Sequence, residues 1–132
     1  LHMLMTCEPQ IKEIGDLISR TDVLLFGIGT AMRMADQRHI ADDVRKQLID
    51  NHAVGEALGQ YCDIEGKLIY STNNIGLSLP DVVKVPNVIA VAGGQEKANA
   101  IIGVMRACQK GILIIDEQAA EGMRQLLQIS AL

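Results

Sequence analysis

Two glycine-bearing stretches stand where backbone amides can hold an anion. "FGIGTAM" (26–32) and "VAGGQEK" (91–97) each follow an apolar run and each lead into a helical pattern. A helix start behind a glycine turn offers unpaired N–H groups and the positive end of the helix dipole, and both favour a phosphate or carboxylate. The second stretch adds Lys97, whose ammonium meets a phosphate as a point charge. A charge-assisted bond of this kind contributes roughly 1.5–3 kcal/mol. Glu96 in the same turn works against the idea, because its carboxylate competes with an incoming anion. Either loop taken alone is also explained by a strand that needs glycine to turn into a helix.

Other chemistries find less support. "GIGTAM" reads G-x-G-x-x-M, without the third glycine of a dinucleotide site, and no acidic residue closes the next strand at the distance that would hold a ribose. Cys7, Cys62 and Cys108 are odd in number and widely spaced, as expected of reduced thiols, and His2, His39 and His52 add no metal-ligand spacing. Neither a metal nor a cofactor is expected. The formal charge of −4 and the lack of a Lys/Arg cluster argue against nucleic-acid binding by this stretch. No apolar run approaches the ~20 residues of a membrane span, and no signal peptide is evident, so a cytoplasmic location is expected.

The elements that must position the two loops follow from hydrophobic pattern. Apolar residues make up 48% of the 132, yet the aromatic ones are only Phe26, Tyr61 and Tyr70, so the core is aliphatic. "VLLFGIG" (23–29), "VIAVAGG" (88–94) and "GILIIDE" (111–117) are nearly continuous apolar runs, as in strands covered on both faces, and "KLIYS" (67–71) is a shorter candidate for an edge. Helical stripes lie between them: Ile11, Ile14, Leu17 and Ile18 behind Pro9; Ile40, Val44 and Leu48; Ala98, Ile101, Ile102 and Met105; and Ala120, Met123, Leu126 and Leu127. "SLPDVVKVP" (78–86) reads as a short helical turn bounded by prolines, and Asp116 as the N-cap of the last helix. Alternating strand and helix predicts an α/β fold with a mainly parallel sheet flanked by helices. In such a sheet both glycine loops fall on the C-terminal edge, where ligands bind. The opening "LHMLMTCEP" shows no first strand, and about four strands are fewer than such domains usually have, so a partial domain is expected.

Three blocks in this order, "DVLLFGIGTAMRMADQR", "VGEALGQYCDIEGKLI" and "VIAVAGGQEKANAIIGVMRACQKGILIIDEQAA", resemble the effector-binding domain of SorC-type transcriptional regulators. The likeness runs from about residue 9 to residue 127. It implies a Rossmann-like domain related to sugar-phosphate isomerases that senses a phosphorylated sugar, such as fructose-1,6-bisphosphate, and assembles a homo-oligomer, a dimer or tetramer. In that family an N-terminal helix-turn-helix domain binds operator DNA. Residues 1–132 match the C-terminal part of the effector domain, with no counterpart to the DNA-binding domain or to a further phosphate loop in the first half.

Position by position, the resemblance assigns Lys97 and the turn Gly93, Gly94 and Gln95 to the phosphate, and Gly27 and Gly29 to the loop that approaches the sugar. It assigns Glu56 to the sugar hydroxyls, a task a carboxylate performs as a pure acceptor. Arg38 matches an arginine on the ligand, with Arg33 as its rival, since Gln37-Arg38 stands where the glycolytic branch has two arginines. The plainer alternatives are a solvated Glu56, an exposed Lys97, and an Arg38 paired with Asp42 or Asp43. The main expectation is a non-catalytic sensor, with the segment 30–56 as the place where ligand binding changes the packing. Two others compete. A sugar-phosphate isomerase would need Glu56 as its base, and an oligomerisation module would use "AMRMAD" and the last helix.

Overall fold

The computed structural model describes residues 7–128, so the strandless reading of the opening residues and His2 lie outside it. Helix α1 (Pro9–Ser19) starts with proline in its first turn, where a missing N–H costs nothing. Strands β1 (Val23–Gly27), β6 (Asn87–Ala92) and β7 (Ile112–Ile115) form a three-stranded parallel sheet in the order β1-β6-β7. Helices α4 (Ala98–Cys108) and α5 (Glu117–Leu126) follow β6 and β7, which is the expected α/β alternation with helices flanking a parallel sheet. The proline-bounded segment forms a 3₁₀ turn at Pro80–Lys84.

Burial alternates along these strands instead of covering both faces. Phe26, Val88, Ala90 and Ala92 point into a core completed by Ile101, Val104, Leu79, Val82 and Ala119. Their neighbours Val23, Leu25, Val91, Ile112 and Ile114 are exposed on the other face. Successive strand residues point to opposite sides, so covering one side alone produces this pattern despite the continuous apolar sequence.

A second sheet has a forerunner in the apolar pattern only in "KLIYS". After Ile28 the chain enters β2 (Gly29–Thr30), then α2 (Ala31–Gln37) and α3 (Asp42–Asp50), and returns through β3 (Gly55–Ala57), β4 (Gln60–Cys62) and β5 (Leu68–Ser71). These four strands pair antiparallel in the order β2-β3-β4-β5. "KLIYS" is thus an edge strand, but of this smaller sheet. The β3–β4 hairpin turns through Leu58 and Gly59, both at positive φ (55° and 78°). That is the handedness a two-residue hairpin loop requires, and it is strained for leucine. A separate small core of Ala31, Ala35, Leu48 and Tyr61 holds α2 and α3 on one face of this sheet.

Candidate functional site

The end of β1 and the start of β2 form one wall of a cavity of about 490 Å³. Gly27 and Gly29 are part of that wall, and Glu56 comes from β3 directly across from Gly29 in the antiparallel register. A side chain at Gly29 would put its Cβ 2.4 Å from Met34 Cγ, so glycine here lets α2 fold close over the strand. Helix α2 supplies Arg33 and, just past its end, Arg38, and Lys97 enters from the turn after β6. Three cations and a single carboxylate therefore face one space.

Glu56 is 3% exposed, so the alternative of a solvated glutamate does not hold. Its Oε1 accepts from Arg38 at 3.0 Å and from the Gly59 N–H at 2.7 Å, and no bond reaches Oε2 among the described residues. Arg38 pairs with Glu56 and not with Asp42 or Asp43. The carboxylate thus does two jobs. It ties α2 to the hairpin, and it satisfies the amide of the strained Leu58–Gly59 turn. Arg33, the rival to Arg38, lines the same cavity without an ion pair among the described residues. Arg33 and Gln37, four residues apart, share one face of α2, and Arg38 reaches the same cavity from just past the helix end.

Gly93, Gly94 and Gln95 do not line this cavity, whereas Lys97 of the same turn does. Gly94 has φ +97°, a conformation that favours glycine, and its N–H donates to both carboxylate oxygens of Asp116 at 3.1 and 3.0 Å. Asp116 also caps α5 through the Ala119 N–H, as its position in the sequence implies. These backbone bonds, with Lys97 nearby, hold the Asp116 carboxyl below the usual range. Glu96 folds back over Gly94, its Oε1 2.6 Å from where a Cβ would stand. The anion held by the Gly94 amide here is the chain's own Asp116 carboxylate. Gln95 instead packs against α5 at Gly122.

Cys62 and Cys108 are buried, which pushes their thiols up to about 12 and about 11, whereas Cys7 is exposed. No group of His, Cys, Asp and Glu able to hold a metal occurs among the described residues, and none of their helices is long and apolar enough to cross a membrane.

Residues 1–125 match the family described as "Putative sugar-binding domain". The chain is 37% identical over 114 residues to the central glycolytic genes regulator of Bacillus subtilis (strain 168), a match covering 86% of this chain and 34% of that protein. It is 40% identical over 114 residues to the protein of the same name from Priestia megaterium, covering 86% of this chain and 33% of the other. Among solved structures, a SorC family transcriptional regulator from Enterococcus faecalis superposes with a TM-score of 0.83 at 38% identity, over 92% of this chain and 50% of that one. The chain therefore spans about a third of the curated relatives and about half of the structural one.

Proposed function

The chain belongs to the sugar-binding domain family of SorC-type transcriptional regulators, and from that premise we propose that it is the effector-sensing part of a bacterial repressor of glycolytic genes. The effector is a phosphorylated sugar, fructose-1,6-bisphosphate or a close relative. One observation carries the reading: Arg33, Arg38 and Lys97 converge on a cavity whose single carboxylate, Glu56, is buried. Three cations suit phosphate groups, and a carboxylate with an unused oxygen suits sugar hydroxyls. The Gly27–Gly29 backbone gives the sugar close approach. Lys97, with no ion pair of its own among the described residues, takes a phosphate.

Residues 1–132 are then the C-terminal part of the effector-binding domain. Operator DNA is bound by a helix-turn-helix domain elsewhere in the cytoplasmic, homo-oligomeric full-length protein. Ligand changes DNA affinity only by binding one arrangement of the domain more tightly than another. The Arg38–Glu56 link between α2 and the β3–β4 hairpin is the contact an incoming phosphate competes for, which places that difference within 30–56. The relatives' names as regulators favour sensing over catalysis.

The test is the melting temperature of the full-length protein with fructose-1,6-bisphosphate, glucose-6-phosphate, dihydroxyacetone phosphate, unphosphorylated fructose and NAD. A ligand at a hundred times its dissociation constant stabilises by about 2.7 kcal/mol. A shift with phosphorylated sugars alone, removed by Lys97→Ala, is expected. A shift with NAD alone, or operator affinity that does not respond to the ligand, refutes the proposal.

A further inference from the structure

Tyr61 is fully buried, and its hydroxyl is the one buried side-chain polar atom among the described residues with no hydrogen-bond partner. Buried polar groups are almost always paired, so an orphaned hydroxyl needs a reason. The sheet register supplies it. Tyr61 stands directly opposite Glu56 across β3 and β4, so the two side chains leave the sheet on the same face. That face is the one against α2, where Tyr61 packs with Ala31, Ala35 and Leu48, and Tyr70 braces it with ring centroids 6.1 Å apart. Burial and the charge on Glu56 both push the phenol's pKa up, so the hydroxyl stays protonated and able to donate. Glu56 meanwhile carries both of its bonds on Oε1.

We propose that Tyr61 is a reserve donor for the site: when Arg38 turns from Glu56 to an anionic ligand, the Tyr61 hydroxyl donates to the Glu56 carboxylate. Tyr61 is thus a positioning residue that acts through Glu56. Taking the partner from a buried charge is far more costly than removing both members of the pair. A donor on the same face of the sheet that moves onto Glu56 as Arg38 leaves lowers that cost and makes the ion pair easier to open. With phenylalanine in its place, the closed pair would be no less stable, since it loses only an unpaired hydroxyl, and the open one would be less so. The hydroxyl therefore stabilises the ligand-ready arrangement and adds nothing to the closed one. In its ligand-dependent part this rests on the sugar-phosphate reading above.

Arg38→Met removes the guanidinium and so imposes the open state without any ligand. Amide hydrogen exchange of the 55–62 hairpin, in the full-length protein, reads the consequence in four variants: wild type, Tyr61→Phe, Arg38→Met and the double substitution. Tyr61→Phe is expected not to speed exchange while Arg38 is present. In the Arg38→Met background it is expected to speed exchange about tenfold, the size of one hydrogen bond to a charged group. An equal effect in both backgrounds makes Tyr61 a packing residue only and overturns the proposal, as does no effect in either. Titration of Tyr61→Phe alone with fructose-1,6-bisphosphate provides a second measurement, with affinity expected to fall about tenfold while the melting temperature of the free protein does not fall. Wild-type affinity in that variant also overturns the proposal. If the wild type binds no sugar phosphate, the sensor reading fails, and the exchange experiment still decides the role of Tyr61.

Discussion

Replacing Glu56 by glutamine is expected to separate the two chemical halves of ligand recognition. Glu56 is 3% exposed and holds the Gly59 N–H at 2.7 Å and Arg38 at 3.0 Å. Glutamine keeps the length and a carbonyl oxygen for the Gly59 donor, so the hairpin persists, but the negative charge is gone. The bond to Arg38 would be worth about 1.5–3 kcal/mol as a charge-assisted pair. The guanidinium side chain is 41% exposed, however, and solvent screening reduces the gain from freeing it to about 1 kcal/mol. Inorganic phosphate should therefore bind about fivefold more tightly. The sugar moves in the opposite direction, because its hydroxyls lose a charged acceptor worth about 1.5–3 kcal/mol. The ratio of the dissociation constants for fructose-1,6-bisphosphate and inorganic phosphate should then rise by between about tenfold and a hundredfold. Parallel calorimetric titrations of the full-length wild type and variant measure both constants. If both ligands shift in the same direction by the same factor, Glu56 acts on net charge alone and does not read the sugar.

Three further outcomes follow from the same geometry. Gly94→Ala forces a side chain onto a residue at φ +97° and displaces Glu96, so chemical denaturation should show a loss of about 1–2 kcal/mol. Asp116 has a depressed folded pKa, so its bonds to Gly94 and Ala119 contribute stability that is present above the unfolded value of about 4 and lost as pH falls through the lower folded value. Asp116→Asn should therefore flatten the dependence of unfolding free energy on pH below about 5, and an unchanged slope would show that the carboxylate is not engaged there. Alkylation of the native protein at pH 8 should label Cys7 and spare Cys62 and Cys108, whose thiols are pushed up to about 12 and about 11; mass spectrometry of a partial digest checks this.

What the sequence reveals here depends on element length. The runs 23–29, 88–94 and 111–117 are long enough for their apolar content to mark strands, and the stripes between them mark helices, so the α/β alternation is legible without any structure. The smaller sheet is not. Strands β3 and β4 have three residues each, too short for a period of two to register, and their turn is Leu58-Gly59 in place of the Asn-Gly that usually announces a hairpin. Tyr61 escapes notice for the same reason, since its relation to Glu56 exists only in the β3–β4 register. Arg33 and Arg38 read as rivals when each is matched singly, whereas α2 and the residue just past its end bring both to one cavity.

The Gly93–Gly94 turn shows how a local principle read from sequence meets a partner that only the fold reveals. A glycine turn before a helix does present donors to an anion, and the sequence alone identifies it. Strands β6 and β7 are parallel neighbours, so their C-terminal ends come together, and the residue after β7 reaches the turn after β6. That residue is Asp116, which bonds the Gly94 amide across 22 positions of sequence. The Gly94 amide is therefore engaged within the chain. Lys97 stands where the two demands meet: its charge helps hold Asp116 ionised, while its side chain reaches the cavity shared by Arg33 and Arg38. The bond from Gly94 to Asp116 thus fixes the turn in which Lys97 stands, immediately before α4.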